Sequence, residues 1–255
     1  MALDEIIERY EHKYLVPERL VPAIREAALA TSKIDRYAGP DGRYRIRSLY
    51  FDTLRFDLYA ANEREQPDRF KMRARCYPAS ATSPVFLEVK RRVLDVIVKT
   101  RAGVPAGLWV DVLAGRSAAL DALSPQVRQG AMKFLAPYHR HHLVPAMLVE
   151  YEREAYVSEI DSYGRLTFDR DILVQSKPEL DLEADPRRWR PVDHPARTRT
   201  EGPITVLELK FERRPPAWMS ALVRRLDLVR YSFSKYCYGV MAELTLPEAR
   251  VAASR

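Results

Sequence analysis

The sequence is poor in the residues that most often announce a metal or nucleotide site. Its two cysteines, Cys76 and Cys237, have no paired spacing, which excludes a disulfide framework and a zinc knuckle. Nine glycines against eighteen prolines, with no G-x-G-x-x-G and no Walker A sequence, exclude a glycine-rich phosphate cradle. If the protein handles nucleotides, it does so with side chains. No apolar run reaches the roughly 18–20 residues that a spanning helix needs. The opening MALDEIIERYEHKY carries acids early and lacks an apolar signal core, so a cytoplasmic location is expected.

What is present is charge of both signs on a chain able to bury a core. Lys+Arg 42 against Asp+Glu 35 gives +7 over 255 residues, of which 47% are hydrophobic, and that share excludes a disordered chain. The modest positive excess predicts an anionic partner: nucleic acid, a membrane surface or a phosphorylated molecule. There is no internal repeat, and a single domain over residues 1–255 is expected. Ser176–Pro203, rich in Pro, Arg and Asp, reads as a long surface connection.

Period-two patterns predict strands at Arg9–Leu15, Tyr44–Phe51, Arg69–Tyr77, Val85–Arg92, Val93–Arg101, Ala146–Val157, Arg165–Val174 and Ile204–Arg213. Helices are predicted over Glu18–Leu29, Leu54–Ala61, Gln126–Leu135, Ala217–Leu228 and Ser232–Leu244. The expected class is α+β, a mainly antiparallel sheet or barrel with helices in the connections.

The polar faces of these strands are unusually uniform. Arg69, Lys71, Arg73 and Arg75 form an unbroken basic row with Phe70, Met72, Ala74 and Cys76 behind it. Glu88, Lys90 and Arg92 share one face, as do Lys99 and Arg101, Glu11 and Lys13, Arg45 and Arg47, Tyr151 and Arg153, and Glu208 with Lys210. Each row alone reads as a solvated strand face. Four like charges in one row repel one another unless an anion or opposing carboxylates lie close by. If the sheet closes into a barrel, these rows converge on a lumen suited to a highly charged phosphate, with the few Glu residues holding a divalent cation. Basic residues interleaved with aromatics also fit nucleic-acid stacking, but Tyr44, Tyr50, Phe70 and Phe86 do not all share the basic rows, and no RNP-like sequence occurs.

Nine short motifs follow one another in order: R-x-E-x-K-Y (Arg9–Tyr14), S-L-Y-F-D-T (Ser48–Thr53), K-x-R-x-R (Lys71–Arg75), F-L-E-V-K (Phe86–Lys90), K-T-R (Lys99–Arg101), Y-x-R (Tyr151–Arg153), R-L-T-F-D (Arg165–Asp169), V-L-E-L-K (Val206–Lys210) and S-K-Y (Ser234–Tyr236). This series resembles the catalytic domain of the vacuolar transporter chaperone (VTC) family, polyphosphate polymerases of the triphosphate tunnel metalloenzyme superfamily. The resemblance implies an eight-stranded antiparallel β tunnel with helices outside, ATP and inorganic polyphosphate as ligands, and Mn2+ or Mg2+ as cofactor. The implied reaction is transfer of the γ-phosphoryl of ATP to a polyphosphate end. A triphosphatase on the same tunnel, or a non-catalytic polyphosphate-binding module, remains open beside it.

By the same resemblance Lys235, Arg153, Lys90 and Glu208 carry catalysis, and Glu208 with Glu11 holds the metal. Lys13, Arg47, Lys71, Arg73, Arg75, Lys99, Arg101, Tyr151, Lys210 and Ser234 join Lys90, Arg153 and Lys235 as phosphate ligands. Related tunnel hydrolases and cyclases open with E-x-E-x-K; here Arg9 stands at the first Glu position, which favours the polymerase branch. Eukaryotic members carry a regulatory domain and membrane helices that have no counterpart here, so regulation and translocation are not carried over. His139, His141 and His142 read as a solvated loop, Cys76 and Cys237 as packing, and Trp109, Trp189 and Trp218 as structural or surface anchors. Asp52 and Asp169 read as turn or cap residues, while Glu88 and Glu150 either assist the metal or pair with a neighbouring Arg.

Overall fold

A computed structural model describes residues 9–80, 82–94 and 96–244, the side chains of Arg9, Ala196 and Leu244 excepted; the N-terminal octet lies outside the described residues. The strands are β1 (Arg9–Pro17), β2 (Ser32–Ile34), β3 (Arg43–Asp52), β4 (Asp68–Cys76), β5 (Val85–Val93), β6 (Val96–Val104), β7 (Val144–Ser158), β8 (Gly164–Ser176), β9 (Arg190–Pro191) and β10 (Ile204–Glu212). The connections hold α1 (Val21–Leu29), α2 (Asp57–Glu63), α3 (Trp109–Leu113), α4 (Ser117–Asp121), α5 (Pro125–Arg140), α6 (Pro195–Thr198), α7 (Ala217–Arg225) and α8 (Lys235–Leu244).

The hydrogen-bonded order is β1-β10-β8-β7-β3-β4-β5-β6, with β2 beside β7 and β9 beside β8. The antiparallel α+β architecture is therefore the expected one. The expected ring does not close: among the described residues β1 and β6 end the path without pairing to each other. No described helix is long and apolar enough to cross a membrane.

The described residues form two compact units, one from 9–44, 151–172 and 193–233, the other from 45–150, 173–192 and 234–244. In the first, β1, β10 and β8 pair so that Tyr14, Val16, Leu166, Phe168, Leu207, Leu209 and Phe211 share a buried apolar face. Val21, Ile24 and Ala28 of α1, one helical stripe, pack into it with Met219 and Leu222 of α7. The opposite face carries Glu11, Lys13, Glu208, Lys210, Thr167 and Asp169.

In the second unit Met72, Ala74, Val85, Leu87, Ala102 and Val104 form the apolar face of β4–β6. The helix α5 covers it with Ala131, Phe134 and Leu135. Pro125 starts that helix, where its missing N–H costs nothing, and His139 and Arg140 end it, where cations complement the dipole. Gly130 lets α5 sit close: a Cβ there would meet the Ala102 Cβ at 3.1 Å and the Arg101 carbonyl at 3.2 Å. His139 thus lies inside α5, whereas His141 and His142 follow its end in the expected loop. The span Ser176–Pro203 is not featureless either, since it contains β9 and α6.

Candidate functional site

Each unit gathers cations around one buried carboxylate, on the strand face opposite its apolar core. Solvated strand faces leave their charges in water, whereas here Glu88 is 2% exposed and Glu208 4%. Burial on this scale costs several kcal/mol per ion unless partners are close.

In the second unit the register of β4, β5 and β6 sets Lys71, Lys90 and Lys99 side by side, and beside that row Arg73, Glu88 and Arg101. Glu88 sits among four cations: Arg73 Nη2 at 2.7 Å, Lys99 Nζ at 2.9 Å, and Arg75 and Arg101 at 3.5 Å. Burial alone would raise the Glu88 pKa, but Arg73 and Lys99 outweigh it and bring it down to about 2. Arg101 also stacks on the Phe86 ring at 3.5 Å, and Gly103 opposite Phe86 leaves room for that ring.

Arg75 Nε and Ser48 Oγ are two of the buried polar atoms without a hydrogen-bond partner among the described residues. Arg75, 7% exposed, has only the long contact to Glu88, and its buried Nε finds no hydrogen-bond partner. Ser48 pairs with Arg75 in the β3–β4 register, so it shares that face, and its buried hydroxyl is likewise without a partner. Both groups share one basic sheet face and suit an oxyanion.

Loss of hydration beside the sheet, with Arg73 and Arg101 nearby, lowers Lys99 to about 8 despite the opposing pull of Glu88, although much of the side chain stays exposed. Lys99 therefore loses its charge as pH rises through about 8. Tripolyphosphate affinity is expected to fall between pH 7 and 9 by up to about tenfold more than in Lys99→Arg, whose guanidinium does not titrate. The ligand titrates identically in both proteins, so the difference between binding profiles isolates Lys99; superimposable profiles would remove it from the site.

The start of α8 is tied to the same face. Ser234 caps the helix by accepting from the Cys237 N–H at 3.3 Å, and Lys235 follows, 7% exposed. Tyr236 stacks on Tyr50, centroids 5.0 Å apart, and donates to Asp52 at 2.5 Å. Asp52 also accepts from the Leu58 and Tyr59 N–H groups at the start of α2, which makes it the cap that its motif position suggested. Tyr50 in turn accepts from Arg73 at 2.8 Å. Removing the hydroxyl in Tyr236→Phe keeps the stacking and is expected to cost about 1.5–3 kcal/mol in denaturant unfolding. A misplaced Lys235 is expected to lower kcat about tenfold with little change in KM for ATP; an unchanged kcat would detach α8 from the chemistry.

In the first unit Glu208 is the centre. Lys210 Nζ lies 2.7 Å from it, Arg153 Nη2 3.2 Å and Lys13 Nζ 3.5 Å. Lys13 also lies 3.2 Å from Glu11 and donates to the Phe233 carbonyl at 2.8 Å. Arg153 is clamped by Asp169 through Nε and Nη2, both at 2.6 Å. Burial alone would lower the Arg153 pKa, but Asp169, Tyr151 and Glu208 hold it well above its ordinary value. Asp169 is therefore a fully buried clamp rather than a turn or cap residue. Tyr151 lies beside the Arg153 guanidinium, 5.3 Å from ring centroid to carbon.

Arg47 is placed elsewhere. Its register partner is Cys76, on the face of β4 opposite Arg73 and Arg75, and it pairs with Glu150 at 2.6 Å. Arg45 joins Glu150 at 3.2 Å, so Glu150 is an arginine partner, as Glu88 is of Arg73. Cys76 is a packed thiol that burial pushes up to about 11, and Cys237 is buried. Trp109 is a core residue, Trp218 donates to Asp161, and Trp189 packs on the core of the second unit. Sequence reasoning missed Ser48, Tyr50 and Tyr236 as working side chains, although the motif letters S-L-Y and S-K-Y contain them.

For a divalent metal, no group of three His, Cys, Asp or Glu exists among the described residues. Glu11 and Glu208 are nonetheless drawn to one point by sharing Lys13 Nζ. Two carboxylates fit Mg2+ or Mn2+ in the usual manner of phosphate enzymes, where substrate oxygens and water complete the shell.

These features define an antiparallel α+β protein whose strand faces gather cations around single buried carboxylates. The VTC domain model matches residues 8–244, and the chain belongs to that family. Among solved structures, HpAC1 of Hippeastrum, named for adenylyl cyclase and showing a dominant triphosphatase activity, is 14% identical with a TM-score of 0.52, covering 92% of this chain and 96% of that one. A Bacillus halodurans protein assigned as an adenylate cyclase is also 14% identical, with a TM-score of 0.49 over 89% and 94% of the two chains. At this identity the Hippeastrum likeness speaks for the fold alone.

Proposed function

We propose that the chain, acting as a single VTC-type domain, is an ATP-dependent polyphosphate polymerase. The bond from the β,γ-bridging oxygen to the γ-phosphorus breaks, a terminal polyphosphate oxygen forms the new one, and ADP leaves with the bridging oxygen. The observation that carries this reading is the convergence of Arg73, Arg75, Lys99 and Arg101 on one sheet face, where Arg75 Nε and Ser48 Oγ are also without a hydrogen-bond partner. Family membership supplies the reaction class.

Phosphoryl transfer needs little covalent help; it needs neutralised oxygens and an in-line acceptor. Arg73, Arg75 and Arg101 offer planar, bidentate-capable forks, and Lys71, Lys90 and Lys99 offer mobile point charges. Lys13, Lys210 and Arg153 serve phosphate in the first unit, with Arg153 oriented by Asp169 and left with Nη1 for a ligand. Lys235 and Ser234 act from the start of α8. Glu208 and Glu11 would hold Mn2+ or Mg2+, which when bound neutralises phosphate oxygens. ATP as the donor fits a cytoplasmic location.

Incubation of the pure protein with ATP and Mn2+, followed by resolution of the products, tests the assignment. Long-chain polyphosphate with ADP is the expected result. Free phosphate with ADP alone would replace it by the triphosphatase reading. Tight polyphosphate binding without turnover would leave a binding module.

A further inference from the structure

Outside these clusters the second unit has another basic concavity, a cavity of about 420 Å³ lined by Arg187, Arg188, Trp189, Arg190 and Glu243. Three arginines in four consecutive residues are presented by a short turn, Pro186–Arg188, and the strand β9 that follows it. The turn is fixed rather than loose. Gln175, 1% exposed, accepts from the Asp185 N–H at 3.1 Å and donates to the Asp185 carbonyl at 3.3 Å. Asp185 then caps the turn by accepting from the Arg187 N–H at 3.0 Å. Pairing of Arg190 with Val174 and packing of Trp189 on the core hold the other end. Such anchoring removes the loop-ordering cost that normally weakens ligand binding to a surface arginine run.

The charges of this concavity are unequally answered. Arg187 has Asp185 at 3.3 Å and Arg190 has Glu243 at 3.0 Å, while no ion pair is made by Arg188 among the described residues. Arginine forks match phosphate oxygens in pairs, and the indole beside them supplies an apolar wall. Glu243 is the resident anion that a ligand must displace from Arg190.

We propose that this arginine turn is a second, non-catalytic site for condensed phosphate chains. It recognises the phosphate groups, so tripolyphosphate suffices and no nucleoside is required. The assignment is independent of the polymerase reading, because binding here needs no turnover.

Calorimetric titration with tripolyphosphate, without metal, tests it in the full chain. The wild type is expected to show two classes of site. Arg187→Gln with Arg188→Gln, both on exposed side chains, is expected to remove one class and leave ATP turnover within twofold of wild type. Glu243→Gln is expected to tighten that same class several-fold, a gain that general damage to the fold would not produce. One class only, unmoved by either change, would overturn the proposal, as would a second class that takes ATP but not tripolyphosphate. Circular dichroism of both variants checks the fold.

Discussion

Glu88→Gln is expected to lower the unfolding free energy by about 3 kcal/mol near neutral pH and to tighten the binding of tripolyphosphate. The first effect follows from linkage. The folded pKa is about 2, below the ordinary carboxylate value of 4.5, so the ionised group contributes stability that is fully present above 4.5. That contribution is lost as pH falls through about 2. A shift of this size corresponds to about 3 kcal/mol, within the range for breaking a buried ion pair. The second effect follows from charge. With Glu88 neutral, Arg73, Arg75, Lys99 and Arg101 have no shared counterion, and an incoming phosphate no longer competes with one. Tripolyphosphate should therefore raise the Tm of the variant more than that of the wild type, through preferential binding to the folded state. Thermal melts with and without ligand check this. A destabilised variant that tripolyphosphate rescues no better than wild type would make the cluster a structural ion network and not a phosphate site.

Most of the fold was legible because strand patterns are local. The eight predicted strands all exist, and the alternation of Met72 and Ala74 against Arg73 and Arg75 told which face packs on helices. Register was not legible, because it depends on pairing across distant segments. It moves Arg47 to the face of Cys76, away from Arg73, although both belong to similar R-x-R patterns. The short helices α3 and α4 also escaped, each being only five residues long with no side-chain cap to announce it. For the site, the basic rows were visible and their internal carboxylate was not: Glu88 reads equally as a metal ligand or an arginine partner until four cations are found around it.

The clamp on Arg153 shows the same limit. Asp169 ends the R-L-T-F-D motif and reads as a turn or cap residue, although the strand predicted over Arg165–Val174 already runs past it; what spacing does not show is its burial against the guanidinium of Arg153. Tyr236 and Asp52 lie 184 positions apart, and their meeting joins two motifs that sequence order keeps separate. Positioning contacts of this kind are long-range by construction, so spacing alone does not reveal them.

Glu208→Gln is expected to reduce ATP turnover by at least about a hundredfold while the protein stays folded. It is chemically the same change as Glu88→Gln, made in a cluster of similar cations, and the consequence differs because the surrounding groups differ. Arg153 keeps both bonds to Asp169, and Lys13 keeps Glu11 and the Phe233 carbonyl, so the scaffold survives loss of the central charge. What disappears is one of the two carboxylates converging on Lys13, leaving Glu11 alone to hold a divalent cation. Neutralisation of phosphate charge by a metal is worth several kcal/mol, and each 1.36 kcal/mol is tenfold in rate. Two readouts separate this from simple damage. ATP affinity measured without metal should be unchanged or tighter, since a repelling carboxylate has gone, whereas raising Mn2+ should fail to restore the rate. A folded Glu208→Gln protein that makes polyphosphate at the wild-type rate would remove Glu208 from the metal site and leave it a counterion for Lys210 and Arg153.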